Sequence, residues 1–464
     1  MRLYEHQRLE KRPQNFNVDK SRELLQSLWQ NRFSFGLEDD SYFKFNKNTK
    51  QRYLKFGHKS LTAGNYVGVI NIDQNNIEIY PKIFEDDREK KNNSSDYSKY
   101  VFSHVLWWLS YTDNIRLPKT FSSFDTNQSD FLEVIMYYFA YYTEKLISEY
   151  QYYGYNLKEE DTSVVRGRIK FNKYIKKIAE GNWHSIPVEY NQFQIDNRLN
   201  RIIRYVSKLL YDFTTEKRTK RLLDRILNDL EYVSDVPVTI HDCDKVMLNP
   251  LFDEYEIVLD YCKMFISNSS VTSYKDDISV FSFLIKTENL YERFLLGFMK
   301  KHKKKIGIKN ITPSHKTFLA HQKDSKKERF NVKMDYLIVL ENGEKIIADA
   351  KYKRMYKNED SSNRKTDNYG IQNSDIFQMI SYSYRKDINR VMLLYPSYHS
   401  EEKADYFHNF DFLDGLDQSN IDLKATTLPI INRDRENFKK NLSIDDLFKS
   451  AEEKLINKLI NCFN

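Results

Sequence analysis

Two aspartates and a lysine in this 464-residue chain, Asp335, Asp349 and Lys351, have the residue types that metal-dependent hydrolysis of a phosphodiester requires. Such chemistry needs carboxylates that converge on one or two cations, and a cationic group near the attacking water or the scissile phosphate. Asp349 and Lys351 are two residues apart on a predicted strand, so we expect their side chains on the same face. An acid and a lysine at this spacing are common in a charged chain. The apolar strand at 346–348 that leads into the pair makes this instance more specific.

A hairpin is expected to bring Asp335 to the same place. Strands are predicted over residues 334–340 and 345–352, and the connection between them contains Asn342-Gly343, a strong hairpin signal. If the chain turns there, position 335 pairs near position 350, which places the Asp335 carboxylate close to Asp349. Buried like charges are costly unless a cation neutralises them, so the sequence predicts magnesium or manganese at this site.

The elements around the hairpin follow the order α-β-β-β-α-β. We predict helices over residues 287–301 and 374–385, and strands over 316–320, 334–340, 345–352 and 390–395. Ser374 or Asp375 is the predicted N-cap of the second helix. This order places one helix before the hairpin and one after it.

Both helices carry further candidate site residues. Glu288 and Glu292 lie one turn apart on the first helix, and an acid there could complete a metal shell, although paired acids on a helix are more often simply solvated. Gln378 and Tyr382 lie one turn apart on the second helix and could contact the substrate backbone or a metal-bound water. Tyr382 taken alone is more often a core residue.

The whole chain is predicted to be an α+β multidomain protein. Its length exceeds one ordinary core, and 40% hydrophobic with 15% aromatic residues excludes a disordered chain. We predict an N-terminal β-containing domain (1–115), a largely helical middle region (116–280), an α/β core (281–400) and a C-terminal strand and helix extension (401–464). Strands at 66–72 and 77–80, helices at 131–150 and 196–212, and a short β-like break at 164–169 support this division.

Composition limits the environment and the partners. The net charge of +7 permits a polyanionic partner without demanding one. Cys243, Cys262 and Cys462 form no CxxC pair and leave one cysteine over in any disulfide scheme, which indicates a reducing cytoplasm. Neither a signal peptide nor a long apolar stretch is apparent, so no membrane anchor is expected. The chain also contains no GxxxxGK[ST] loop, so any nucleotide-driven step must come from another protein.

The C-terminal pattern resembles the PD-(D/E)xK nuclease core in its RecB-like branch. The resemblance rests on the element order, on Glu292 and Asp335, on the string Asp349-Ala350-Lys351 and on the Gln378/Tyr382 pair, and it covers residues 281–396. One departure is that Met334 stands where the motif has proline. The resemblance implies a restriction-endonuclease-like α/β core for this part of the chain.

A narrower resemblance, to the McrC family, covers nearly the whole chain. It rests on the strings NLYERF (289–294), IADAKYK (347–353), DIFQM (375–379), YVGVI (66–70), IYPK (79–82) and DNRLN (196–200). McrC is the nuclease subunit of methylcytosine-dependent restriction systems. The resemblance implies Asp335, Asp349, Glu292 and Ala350 as metal ligands, Lys351 as the catalytic lysine, Gln378 and Tyr382 as further site residues, and Mg²⁺ or Mn²⁺ as the cofactor. It also implies double-stranded DNA as substrate and a hexameric AAA+ GTPase as partner, whose nucleotide hydrolysis the N-terminal region stimulates.

Three interpretations of function stay open on the sequence. The chain is a metal-dependent endonuclease subunit of a modification-dependent complex, a catalytically silent scaffold that activates the partner NTPase, or the nuclease of a related AAA+ system that cuts unmodified sites. The complete set of acids and lysine argues against the scaffold. Nothing resembles a base-reading module, so the choice of sequence or methylation is expected to lie in the partner.

Several segments are candidates for contacts with partner or DNA, and each also has a simpler explanation. Residues 67–82 are a candidate part of the partner-engaging domain or an ordinary core hairpin. Arg166 and Arg168, on either side of Gly167, could contact phosphate or partner, but arginines beside a turn are most often solvated. The basic runs at 300–305 and 323–329 could contact phosphates nonspecifically, and solvated charge is the commoner outcome.

Overall fold

The computed structural model describes residues 1–10, 18–30, 50–72, 75–85, 95–112, 131–268, 280–313, 316–323, 327–356, 367–400, 406–410, 421–439 and 444–463. The strands are β1 (Arg2–Tyr4), β2 (Arg8–Leu9), β3 (Leu54–Phe56), β4 (Leu61–Ala63), β5 (Tyr66–Ile72), β6 (Asn75–Tyr80), β7 (Gly154–Thr162), β8 (Arg168–Ile169), β9 (Ile186–Gln194), β10 (Val280–Lys286), β11 (Ile308–Pro313), β12 (Lys316–His321), β13 (Glu328–Lys333), β14 (Tyr336–Leu340), β15 (Lys345–Ala350), β16 (Arg390–Pro396), β17 (Phe407–Phe410) and β18 (Asp422–Leu428). The α-helices are α1 (Val18–Gln30), α2 (Ser95–Ser110), α3 (Phe131–Glu149), α4 (Phe171–Ala179), α5 (Arg198–Phe213), α6 (Lys217–Asp229), α7 (Ile240–Asp244), α8 (Tyr255–Asn268), α9 (Thr287–Lys301), α10 (Lys303–Ile306), α11 (Asn373–Lys386) and α12 (Ile444–Phe463).

The chain divides into two compact units, Met1–Leu132 together with Ser270–Asn464, and Glu133–Ser269. The first unit contains both ends of the chain, because β10 pairs with β5 near the start of the chain. Within its C-terminal part, β18 pairs with β16. The predicted ranges 1–115, 281–400 and 401–464 therefore do not form separate compact units. Local sequence patterns indicate strands, but they do not indicate that a strand late in the chain pairs with one near the start.

The N-terminal sheet of the first unit has the order β1-β6-β5-β10. Its centre is the predicted hairpin, in which Ile70 pairs with Ile77. Val67, Ile70, Ile77 and Ile79 are fully buried. Where its burial is described, at 67–70 and 77–82, the candidate partner segment 67–82 is thus largely core, as its alternative explanation expects.

A six-stranded sheet with the order β11-β14-β15-β16-β18-β17 carries the predicted site. The pairs β11/β14, β14/β15 and β17/β18 are antiparallel, and the pairs β15/β16 and β16/β18 are parallel. Helix α11 packs on the face of β15 and β16 that carries Ile347 and Leu393, through Met379 and Tyr382. Asp349 is two residues beyond Ile347, so it lies on the face that α11 covers.

One predicted strand of this sheet is assigned wrongly. Residues 316–320 do form a strand, β12, but it pairs with β13 in a separate two-stranded sheet. The position beside β14 belongs to β11 instead, and α9, β11, β14, β15, α11 and β16 give the order α-β-β-β-α-β. The residue pattern of 316–320 is compatible with a strand but does not specify its pairing partner.

The start of α11 also differs from the prediction. The helix begins at Asn373, its N-cap is Gln372, and that residue makes no side-chain capping bond. Ser374 and Asp375 are therefore not caps, and Asp375 forms ion pairs in the site described below.

The second unit is only partly helical. It contains α4 to α8 and nearly all of α3, and also a three-stranded antiparallel sheet in the order β7-β9-β8, where only a short β-like break is predicted. Strand β7 is polar and charged, so it lacks the apolar alternation that marks a half-buried strand. The string at 196–200 has a local structural role, because the Asn197 side chain caps α5 by accepting a hydrogen bond from the Asn200 N–H.

In the described part of the chain, no helix combines the length and the apolar composition that crossing a bilayer requires. Cys243, Cys262 and Cys462 are buried and form no disulfide.

Candidate active site

The hairpin at the centre of the site is formed by β14 and β15. Tyr336 pairs with Ala348, a register one residue away from the predicted one. The turn closes at Gly343, whose φ of +88° lies in the left-handed region that glycine adopts without strain. No positive φ occurs at Asn342, so the connection is a three-residue turn rather than a two-residue Asn-Gly turn.

This register brings the two aspartates together at the ends of their strands. The Ala350 N–H donates a hydrogen bond to Asp335 Oδ2 at 2.8 Å. Asp349, on the other side of that peptide group, is 1% exposed. The pKa of Asp335 is raised well above its usual range, first by burial and then by the neighbouring charges of Asp349 and Glu292. The pKa of Asp349 is also raised by burial, with Lys351 acting in the opposite direction.

Lys351 is the cation of the cluster. Its Nζ lies 2.6 Å from Asp349 Oδ2 and 3.7 Å from Asp375 Oδ1. Burial alone would lower the pKa of Lys351, but Asp349, Asp375 and Asp335 together raise it above the usual lysine value. The ammonium is therefore held charged at the ends of β15 and β16, where the Lys351 N–H also donates to Leu394 O.

The helix before the hairpin contributes Glu292. This residue is half-buried, and its charge acts on Asp335, while its main-chain oxygen accepts a hydrogen bond from Tyr336 Oη at 2.6 Å. Glu288 is not drawn into the cluster in the same way. Its exposed carboxylate lies 3.9 Å from Lys286 Nζ. Glu292 therefore belongs to the cluster, whereas Glu288, one helical turn away, does not.

Gln378 and Tyr382 lie on α11 as predicted, where Gln378 contacts Lys351 and Tyr382 contacts Gln378. Lys351 Nζ donates to Gln378 Oε1 at 2.7 Å. Gln378 Nε2 in turn donates to the Tyr382 hydroxyl, which donates to the main-chain oxygen of Lys333. Tyr382 is buried, and its pKa is raised by burial, so it stays protonated. The pair orients the lysine and ties α11 to the chain just before Asp335.

Sequence reasoning missed Asp375 and Lys353. Asp375 is 4% exposed, and Lys353 Nζ lies 3.1 and 3.0 Å from its two carboxylate oxygens. Lys353 Nζ also donates to Gln372 Oε1 at 2.7 Å. A signal was present in the sequence, because Asp375 precedes Gln378 by three residues and so shares its helix face.

The residue after Lys351 joins the site to the N-terminal sheet. Tyr352 is buried, and its hydroxyl donates to Glu5 Oε2 at 3.1 Å. The Lys82 N–H donates to the same oxygen at 2.9 Å, and the Lys82 ammonium lies 4.6 Å from the centre of the Tyr352 ring. The strand end that carries Lys351 is thus fixed from the side opposite to α11.

The donor set suits a divalent cation such as Mg²⁺. Asp349 Oδ2 is buried, and the Lys351 ammonium, 2.6 Å away, is its partner. Asp335 and Asp349 raise the cost of each other's ionisation, and hard carboxylate oxygens are the ligands that Mg²⁺ prefers. Across the described ranges, no three His, Cys, Asp or Glu side chains already surround one point. Lys351 is the cation that lies against Asp349.

Comparison with known proteins was made for both sequence and structure. The family described as McrBC 5-methylcytosine restriction system component matches residues 61–396. No curated protein matches the sequence. A chain in the refined half-complex from the tetradecameric assembly of Thermococcus gammatolerans McrB AAA+ hexamers with bound McrC has a TM-score of 0.60 at 16% identity, over 100% of this chain and 99% of that chain. A chain of the cryo-EM structure of the Thermococcus gammatolerans McrBC complex has a TM-score of 0.47 at 16% identity, over 65% of this chain and 88% of that chain.

The first structural match shows a fold shared along the whole chain, and the family match spans more than half of the sequence. The chain belongs to the McrBC 5-methylcytosine restriction system component family, as its resemblance to McrC implied.

Proposed function

We propose that this chain is the metal-dependent DNA endonuclease subunit of a modification-dependent restriction complex, and that it acts with an AAA+ GTPase. One observation carries the proposal: Asp335 and Asp349 are buried side by side, with raised pKa values, next to a charged lysine. Placing two carboxylates together costs free energy in a folded protein. Such a cost is typical of a site that needs the charges for chemistry.

Asp335 and Asp349 would hold a magnesium ion, with Glu292 and the main-chain oxygen of Ala350 as further predicted ligands. Bound there, the cation would polarise the scissile phosphate and lower the pKa of a bound water. The carboxylates supply the negative charge that recruits it. Asp349 Oδ2 lies 2.6 Å from Lys351 Nζ, so a cation at this oxygen would lie next to the lysine that is proposed to act on the phosphate.

Lys351 would act on the phosphate rather than on the protein. Its raised pKa keeps the ammonium protonated at neutral pH, so it can stabilise negative charge that develops on phosphate oxygens. Gln378 fixes the direction of this ammonium through its 2.7 Å contact, and Tyr382 fixes Gln378. The α11 pair thereby restricts Lys351 to one end of the sheet before any substrate arrives.

The proposed partner follows from the family and from an exposed apolar surface. The related Thermococcus gammatolerans assembly contains McrB AAA+ hexamers with bound McrC, and this chain has no nucleotide-binding loop of its own. Helix α4 contains no buried residue, and Phe171, Ile175 and Ile178 form one exposed apolar face on it. Contiguous apolar surface of this kind marks a protein-binding site. We assign it to the GTPase.

The α4 assignment is tested with Ile175→Glu, which introduces a charge on the apolar face. We expect the variant to lose co-elution with the GTPase, whereas Asn172→Glu, the same change elsewhere on the helix, keeps it. Equal co-elution of both variants with the partner would show that α4 is not the docking surface.

The nuclease assignment is tested by cleavage of methylated duplex DNA with Mg²⁺, GTP and the partner. Asp349→Ala and Lys351→Ala should each lower the cleavage rate at least about 100-fold. Both variants should still assemble with the GTPase. Glu288→Ala removes an exposed acid of α9 that lies outside the cluster, and it should cut at the normal rate. Cleavage at the wild-type rate by both site variants would refute the assignment, and loss of methylation dependence would favour a related system that cuts unmodified sites.

A further inference from the structure

Strands β12 and β13 form a two-stranded ribbon that precedes the β14/β15 hairpin of the proposed active site. Phe318 pairs with Asn331, and Ala320 pairs with Arg329. The base of the ribbon is fixed to α11, because Arg385 Nε donates to Phe318 O at 2.8 Å and the Tyr382 hydroxyl donates to Lys333 O. The same helix carries Gln378, which orients Lys351. The ribbon is thus connected directly to the proposed active site.

The ribbon exposes two large apolar side chains. Phe330 is 71% exposed and Leu319 is 42% exposed. The pairs on either side place these two residues opposite each other across the ribbon. Phe330 also has a φ of +55°, a left-handed conformation that is unfavourable for a bulky side chain. An exposed aromatic ring on strained backbone contributes little to the stability of the fold. We therefore expect Phe330 to contribute to binding instead.

The charge around this apolar pair is positive. Outside residues 324–326 the ribbon carries five basic residues, Lys316, Lys323, Lys327, Arg329 and Lys333, and a single acid, Glu328. Lys323, Lys327 and Arg329 are exposed. The Arg329 guanidinium is oriented by Gln322 Oε1, at 3.1 Å from Nε and 2.7 Å from Nη2. Such a positively charged surface complements a polyanion. It does not complement a protein surface that is apolar or lacks acidic residues.

Chain length places the apolar pair close to the proposed cleavage site. Asp335 is five positions after Phe330 in the chain, so the two lie no more than about 18 Å apart. This corresponds to about five base pairs along B-DNA, in which base pairs rise by about 3.4 Å. A two-stranded ribbon is also of a size that the DNA major groove admits.

We propose that the β12/β13 ribbon is a DNA-binding arm that grips duplex DNA within about five base pairs of the cleaved phosphate. Lys323, Lys327 and Arg329 contact phosphates, and Phe330 with Leu319 lies against base edges or a base step in the groove. The inference rests on the proposed function for its substrate, and it adds a binding surface distinct from the metal-binding carboxylates. Most of this binding is independent of base sequence, because phosphate contacts dominate it.

The experiment measures binding of the full chain to a fluorescent 30-base-pair duplex by anisotropy, without divalent metal, at several salt concentrations. Lys327→Gln/Arg329→Gln should bind about tenfold more weakly, and the slope of log affinity against log salt should fall by up to about 1.8. Phe330→Asn should weaken binding about fivefold without changing that slope, because asparagine tolerates the left-handed backbone and carries no charge. Its melting temperature should stay at or above that of the wild type.

Lys449→Gln/Lys454→Gln is the matched control, because both lysines are exposed on α12 and the charge change is the same. It should bind as the wild type does. Wild-type affinity in the ribbon variants, or no binding of duplex by the wild-type chain, would overturn the proposal. Loss of GTPase assembly with unchanged DNA binding would overturn it too and would make the ribbon a protein interface. The binding assay contains no divalent metal, so its result does not depend on cleavage. A chain that binds DNA through the ribbon but never cuts it in the cleavage assay would refute the nuclease assignment and leave the ribbon proposal standing.

Discussion

The core around His104 and the strand ends around Asp349 both bury an ionisable side chain, but only the second places a further buried acid beside it. His104 Nε2 accepts a hydrogen bond from the Asn432 N–H at 2.9 Å, so Nδ1 carries the proton and donates to Tyr100 O at 2.8 Å. Asp349 Oδ2 lies 2.6 Å from the charged Lys351 ammonium, and Asp349 lies next to a second buried acid, Asp335.

The difference separates structural burial from functional burial. The His104 ring is neutral and packs against Phe438 at 5.4 Å, so its burial stabilises the fold. Asp335 and Asp349 place like charges close together at a buried position, where apolar side chains would stabilise the fold more. Burial of a titratable group is therefore not evidence of a site by itself. Buried like charges placed side by side are the stronger evidence.

The largest expected effect is the acid sensitivity of His104. Burial lowers the pKa of His104 from 6.5 to about 3, so the folded ring stays neutral while the unfolded ring takes up a proton below pH 6.5. Its contribution to stability is complete above pH 6.5 and is lost as the pH falls towards 3, by about 5 kcal/mol in all.

This dependence is measured by urea unfolding at pH 7, 5 and 4. His104→Phe keeps the ring packing, and it should be less stable at pH 7 but should lose less stability on acidification than the wild type. An identical loss in both proteins would show that His104 is not the sensor.

The next effect concerns the counter-charge of Asp349. Lys351→Met should lower the free energy of unfolding by about 3 kcal/mol, because it leaves a buried carboxylate without its cation. Adding Asp349→Asn should restore most of the loss. Lys170→Met removes a lysine that pairs with Glu159 in the exposed sheet of the second unit, and it should leave the denaturation midpoint unchanged. A Lys351→Met protein as stable as the wild type would remove the contrast between the two regions.

A smaller effect is expected at Asp375, which positions Lys351 from α11. Asp375→Asn should lower the cleavage rate about tenfold. It should also move the alkaline limb of the pH profile to lower pH, because the Asp375 charge contributes to the raised pKa of Lys351. Asp387→Asn, at the exposed C-terminal end of α11, is the control. A slower rate with an unmoved alkaline limb would mean that Asp375 acts only through packing.

Local signals in the sequence predicted most elements near the site. The structure places α9 over the predicted residues, and it places the β14/β15 hairpin and α11 within a few residues of their predicted ends. Apolar periodicity and a glycine turn specify such elements over short stretches. The side-chain contacts of Asp349 with Lys351 follow from the two-residue repeat of a strand.

Features that depend on distant residues could not be predicted. The pairing of β5 with β10 and the separation of the β12/β13 ribbon from the main sheet depend on partners that no local pattern specifies. The sequence does not predict the sheet of the second unit, because β7 is polar and charged and lacks the apolar alternation of a half-buried strand. The sequence predicts Ser374 or Asp375 as a helix cap, whereas the structure places Asp375 one turn before Gln378 and beside Lys351.

The most direct test of the central claim is calorimetric titration of the purified chain with Mn²⁺ and Mg²⁺, together with thermal melting at saturating metal. If the carboxylates form a cation site, the wild-type chain should bind metal and gain about 1.4 kcal/mol of stability at ten times the Kd. Asp335→Asn/Asp349→Asn should show neither heat of binding nor a shift in melting temperature. A wild-type chain that binds neither metal would contradict the account and would favour a silent scaffold that only activates its partner.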